Sequence, residues 1–90
     1  MKIEITEAQF TDAAESVSTD VDMSYSGRNM YGKVCPSFDF EDITDLIRFG
    51  AKVQELTGSL RVAEYLTKHG RIDSMGLGYV VYFPNLEFGE

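Results

Sequence analysis

The stretch VSTDVDMSYSGRNMYGKVCPSFDF, residues 17–40, predicts a β-hairpin. From Val17 to Tyr25 every second residue is apolar or threonine, and serine or aspartate stands between them, which is the period of a half-buried strand. After a loop with two glycines, Phe38 and Phe40 resume an alternating pattern. Proline cannot donate a hydrogen bond to a neighbouring strand, so Pro36 predicts that this second arm lies at a sheet edge or carries a bulge.

The segments around the hairpin predict helices and further strands. Residues 2–6 alternate and indicate a short first strand, and the capping box TEAQ then opens a helix through Glu15. Residues 41–57 have apolar positions at helical spacing before Gly58, and Ser59 caps another helix that ends before Gly70. Residues 77–83, LGYVVYF, are apolar on both faces and predict a central strand.

This order of elements predicts an α+β fold in one domain, residues 1–90. We expect an antiparallel sheet of three to four strands with two to three helices packed on one face. A chain of 90 residues supports a single core, because two smaller units would each bury too little apolar surface.

The composition favours a non-enzymatic protein. The net charge is −7, and the chain has a single cysteine and a single histidine, which leaves no disulfide pair and too few ligands for zinc. The sequence begins with no signal-peptide pattern and contains no membrane-length apolar run, which predicts a protein of the cytoplasm without membrane contact. No nucleophile motif accompanies His69, so we expect no catalytic residue, cofactor or metal.

The loop from Gly27 to Lys33 matches a phosphate-binding P-loop except at its last position. Val34 replaces the serine or threonine that would hold Mg²⁺, and the next residues are typical of a strand where a P-loop opens a helix. A turn between two strands is therefore the favoured interpretation. A small ligand- or nucleotide-binding domain using this loop stays open as an alternative.

The acidic residues near the hairpin and the following helix could form one anionic surface. Its predicted members are Asp20, Asp22, Asp39, Glu41, Asp42 and Asp45, and Glu15 could extend it. The alternative is that these acids cap a helix and aid solubility, because a helix N-terminus favours negative charge. Arg28 and Tyr31 are candidate anchors for a partner at the loop tip, since both residue types are enriched at binding hot spots, unless Tyr31 packs back on the sheet.

The segment MSYSGRNMYGKVCP, residues 23–36, resembles a stretch of small uncharacterised proteins from tailed phages and their bacterial hosts. The resemblance implies a phage-type inhibitor, of which anti-CRISPR proteins are one kind. Together with the acidic charge, it predicts docking on a basic, nucleic-acid-binding surface of a larger host or defence protein in the host cytoplasm, without direct nucleic-acid contact. A structural or assembly protein that pairs through an edge strand is a further alternative, and so is a homodimer.

Overall fold

The computed structural model describes residues 4–27 and 30–89, which form three helices and four strands. In chain order these are α1 (Glu7–Glu15), β1 (Val21–Tyr25), β2 (Cys35–Phe40), α2 (Ile43–Thr57), α3 (Leu60–His69), β3 (Arg71–Met75) and β4 (Gly78–Tyr82). All strand pairs are antiparallel, and the order across the sheet is β1-β2-β4-β3. The predicted α+β class is confirmed.

The helices begin and end where local sequence signals place them. The Thr6 side chain accepts a hydrogen bond from the backbone N–H of Gln9, and the Gln9 side chain accepts one from the N–H of Thr6, which completes the predicted capping box. Helix α2 starts after Asp42, its N-cap, and ends at Gly58, whose φ of 69° is the left-handed conformation that glycine adopts at low cost. Ser59 caps α3 as predicted.

The first predicted strand, residues 2–6, is wrong over its described part. Ile5 and Thr6 lie outside any strand, and residues 2 and 3 are outside the described residues. Ile5 is buried in the core, and its carbonyl accepts a hydrogen bond of 2.8 Å from the N–H of Gly89. The Ile5 side chain therefore belongs to the core, and its backbone is hydrogen-bonded to Gly89 near the end of the described residues.

One face of the sheet packs on the helices around a cluster of phenylalanines. Phe10 from α1 and Phe49 from α2 contact each other at a ring-centroid distance of 5.6 Å. Phe38 from β2 lies 4.7 Å from Phe49, and Phe83 lies 5.4 Å from Phe10. These edge and tilted contacts are the arrangements that aromatic rings favour, and they join α1 and α2 to the sheet.

The hairpin forms, but its strands differ from the simple alternating pattern. Val21 pairs with Phe38 on the core face, whereas Tyr25 pairs with Cys35 and lies on the opposite face, because the register shifts between Asp22 and Tyr25. Two residues of β1, Met23 and Ser24, stand opposite Pro36, so an irregularity lies beside Pro36 as predicted, but the extra residue belongs to β1 and not to the second arm. The predicted edge position is wrong, since β2 lies between β1 and β4.

The strand β3 was not predicted from the sequence. It pairs with β4 along its whole length through a two-residue turn at Gly76 and Leu77. Gly76 has a φ of 57°, which suits the first central position of a hairpin turn. The predicted central strand at residues 77–83 corresponds to β4, where a side chain at Gly78 would approach the Phe40 carbonyl oxygen to 2.9 Å.

Candidate acidic groove

A groove of about 610 Å³ lies at the end of the sheet where β2 stops and β4 begins. Its walls are the end of α1 with the segment after it, the first turn of α2, and the β3–β4 hairpin. Among its lining residues are five carboxylates and one cation. These are Glu15, Asp20, Asp39, Glu41 and Asp45, against Arg48. We call this site the acidic groove.

Backbone pairing brings two of these acids together from distant parts of the sequence. The N–H of Asp39 donates a hydrogen bond of 3.1 Å to the Asp20 carbonyl oxygen, immediately before β1 begins. This contact continues the pairing of Val21 with Phe38 by one step. The position of the Asp20 and Asp39 side chains therefore follows from the register of the hairpin.

The remaining acids belong to the link between β2 and α2. The Asp45 carboxylate accepts hydrogen bonds of 3.3 Å and 3.4 Å from the backbone N–H groups of Glu41 and Asp42. Asp45 thereby fixes the start of α2, and it also forms a 3.4 Å ion pair with Arg48. Arg48 therefore partly compensates the charge of Asp45. The Glu41 residue is exposed.

The pKa of Asp39 is raised, first by burial and then by the negative charge around it. Burial of its carboxyl group is the largest cause, followed by the negative charge of Asp20, a hydrogen bond with Asp20, and the charge of Asp22. A carboxyl group in this setting is less stable in its ionised form. A cation bound in the groove would relieve that cost.

Apolar side chains lie beside the carboxylates. Phe40 is buried under Tyr79, with the two rings stacked at a centroid distance of 5.4 Å. Tyr79 and Met75 are nearly half exposed, and Leu77 at the hairpin turn is fully exposed. The acidic groove thus combines anionic groups with an apolar border.

Four of the six acids predicted for an anionic surface line the groove: Asp20, Asp39, Glu41 and Asp45. Asp22 lies outside this lining and accepts a hydrogen bond from the N–H of Ser24. Asp42 caps α2, and hydrogen bonds from the Thr44 N–H and hydroxyl lower its pKa. Helix capping therefore accounts for Asp42, and Asp45 serves both the cap and the groove.

The predicted anchors do not join this site. Tyr31 is 92% exposed and does not pack on the sheet, but it lies at the opposite end of the β1–β2 hairpin from the acidic groove. Six residues of β2 separate the two ends by roughly 17 Å. Arg28, the second predicted anchor, is outside the described residues.

The described residues of the Gly27–Lys33 loop form hydrogen bonds that are typical of turns. The Met30 N–H donates to the Gly27 carbonyl, and the Lys33 N–H donates to the Met30 carbonyl. Gly32 has a φ of 83°, and the loop is followed by strand β2, where a P-loop would open a helix.

Cys35 lies under this loop as a buried thiol. Its pKa is raised, mainly by burial, which keeps the thiol protonated and unreactive. Its sulfur lies 4.0 Å from the sulfur of Met30, in a small second core that also includes Tyr82. Within residues 4–27 and 30–89, no group of three or more His, Cys, Asp or Glu side chains could hold a metal ion.

The apolar border of the groove was not predicted from the sequence. Met75 and Leu77 belong to the β3–β4 hairpin, and only the position of that hairpin brings them beside the acids.

No protein-family model, curated protein or solved structure matches this chain. None of the helices in the described part of the chain is long and apolar enough to cross a membrane.

Proposed function

We propose that this protein is a non-enzymatic inhibitor of the phage type that docks on a basic surface of a larger host or defence protein. The observation that supports the proposal is the acidic groove, which is lined by five carboxylates and one arginine beside exposed apolar side chains. The target surface would be one that ordinarily binds nucleic acid, because such surfaces carry clustered lysine and arginine.

Charge complementarity provides the first part of the interaction. Opposite charges accelerate encounter and exclude partners of the wrong sign. The same negative potential disfavours direct binding of DNA or RNA, whose phosphates would be repelled. A protein partner with a protruding lysine or arginine fits the groove better than a nucleic acid does.

The apolar border provides the second part. Leu77 and Tyr79 expose side chains that lose contact with water when a partner covers them, and aromatic residues are enriched in interface cores. Leu77 stands at the tip of a two-residue turn, which allows it to project into a pocket on the partner. Carboxylates would orient the partner, and Leu77 with Tyr79 would add contact area.

The proposal is tested by affinity capture from bacterial lysate with three forms of the protein. The groove variant carries Asp20→Asn, Asp39→Asn and Glu41→Gln, and the control carries Asp12→Asn, Glu64→Gln and Glu87→Gln. Both variants lose the same formal charge, and the control positions are exposed residues outside the groove lining. We expect a specific protein to be retained by the wild type and the control and lost with the groove variant.

Two further measurements bear on the mechanism. Binding to the captured protein should weaken as ionic strength rises, because salt screens exposed charges. A nucleic acid ligand of the captured protein should compete with the inhibitor for the same surface. Equal retention of the partner by the groove variant, or simultaneous binding with the nucleic acid, would contradict the proposal.

A further inference from the structure

Strand β3 forms one edge of the sheet in the described part of the chain, and four of its five residues are exposed. The order β1-β2-β4-β3 leaves it with a single strand neighbour among the described residues. Its hairpin closes with the pair Met75 and Gly78, around the turn at Gly76 and Leu77. Because hydrogen-bonded pairs alternate along an antiparallel ladder, Asp73 and Arg71 also direct their backbone groups toward β4. Ile72 and Ser74 direct theirs outward.

The side chains of β3 are divided between the two faces of the sheet. Ile72 pairs with Val81 and so lies on the face that carries the helices, but it remains 48% exposed. Arg71 and Asp73 lie on the other face, opposite Tyr82 and Val80. Arg71 and Asp73, which have opposite charges, therefore precede and follow Ile72 along the strand, with their side chains on the other face.

Exposed apolar side chains of α2 extend the surface on the helix side. A small cavity lined by Leu46, Thr67 and Ile72 places the first half of α2 near β3. Gly50 of α2 faces Thr67 near the end of α3, because a Cβ atom added at Gly50 would lie 3.4 Å from the Thr67 hydroxyl oxygen. The helical repeat puts Ile43 and Ile47 on the Gly50 side of α2, in the turns before it, and both are more than 60% exposed.

We propose that β3 pairs antiparallel with the β3 of a second copy of this chain, with Ile72 opposite Ile72 across a two-fold axis. In this register the outward backbone groups of Ile72 form a reciprocal hydrogen-bonded pair. Arg71 of each copy stands opposite Asp73 of the other, in positions where cross-strand side chains approach most closely. The result is a continuous eight-stranded sheet, twice the four strands of one chain.

Charge selects this register over its neighbours. A two-fold axis at Asp73 would set two aspartates opposite each other, which is destabilising. An axis at Ser74 would place Asp73 opposite Met75 and Ile72 opposite Gly76, so neither charge would have an opposite partner. Only the axis at Ile72 gives two ion pairs and an apolar contact at once. A copy of the same chain is therefore the partner that fits this edge.

The test measures molecular mass by sedimentation equilibrium over a wide range of protein concentration. The wild type should reach twice the 10.1 kDa mass of the chain. Arg71→Asp and Asp73→Arg should each weaken dimerisation at least about tenfold, because each turns two attractive pairs into repulsive ones. The double variant R71D/D73R should dimerise like the wild type.

Mixing the two single variants gives the sharpest outcome. R71D carries two acids and D73R two bases at these positions, so the mixture should form a heterodimer although neither variant dimerises well alone. Arg61→Asp and Glu64→Arg, on the exposed surface of α3, are the charge-matched controls and should dimerise normally. Circular dichroism verifies that each variant is folded. A wild type that stays monomeric, or a dimer unaffected by both single variants, would overturn the proposal.

Discussion

Replacing Phe10 by alanine should remove a large part of the stability of this protein. Phe10 is fully buried, and its ring contacts those of Phe49, Phe83 and Phe88 at centroid distances of 5.6, 5.4 and 5.7 Å. Truncating a buried phenylalanine costs about 3–5 kcal/mol, because apolar burial is lost and a cavity remains. A domain of this length has a free energy of unfolding of roughly 5–13 kcal/mol.

The loss is measurable by urea and thermal unfolding followed by circular dichroism. At this chain length it corresponds to a fall in Tm of roughly 15–30 °C. Phe10→Leu should lose less and keeps the experiment informative if the alanine variant does not fold. Tyr31→Ala is the matched control, since Tyr31 is 92% exposed and its removal should change stability by less than about 0.5 kcal/mol. A Phe10→Ala loss below about 1 kcal/mol would refute the described packing of α1 on the sheet.

Two further substitutions test the groove and the sheet. Because its pKa is raised, ionised Asp39 lowers stability at neutral pH, and this cost disappears as pH falls through the raised pKa toward 3.8. Asp39→Asn should therefore be more stable than the wild type at neutral pH, and urea titrations should show that this difference shrinks at lower pH. An Asp39→Asn variant that is less stable than the wild type at neutral pH would contradict the raised pKa of Asp39. Gly78→Ala should lose about 1–3 kcal/mol in thermal melts, because the new Cβ would lie 2.9 Å from the Phe40 carbonyl oxygen. Gly50→Ala, the same change inside α2, should raise the free energy of unfolding by about 0.5–1 kcal/mol. Equal effects of the two substitutions would show that Gly78 does not lie close to the Phe40 carbonyl oxygen.

The parts of the fold that depend on local signals could be predicted from the sequence. The capping box at Thr6 and Gln9, the stop at Gly58 and the cap at Ser59 each involve residues close together in the chain, so their effect is visible without the fold. Strand β3 lacks such a signal. Its residues, RIDSM, are largely exposed on both faces, so no alternation of apolar and polar residues marks it.

The candidate site was predictable only in part, for a related reason. Glu41 and Asp45 are neighbours at a helix start, and their proximity follows from the sequence. The approach of Asp20 to Asp39 depends on the register of β1 with β2, and the placement of Tyr25 on the second face depends on the bulge beside Pro36. Register and bulges are set by tertiary packing, which a single sequence does not display.

The hydrogen bond between Gly89 and Ile5 has a practical consequence for handling the protein. It brings the two flanks of the domain to one place, beside the first turn of α1. Nine residues of helix, about 13 Å, separate that place from the acidic groove. A tether or fluorophore attached through a linker near Ile5 or near Gly89 would therefore start away from the groove. The two attachment points are therefore interchangeable for surface immobilisation.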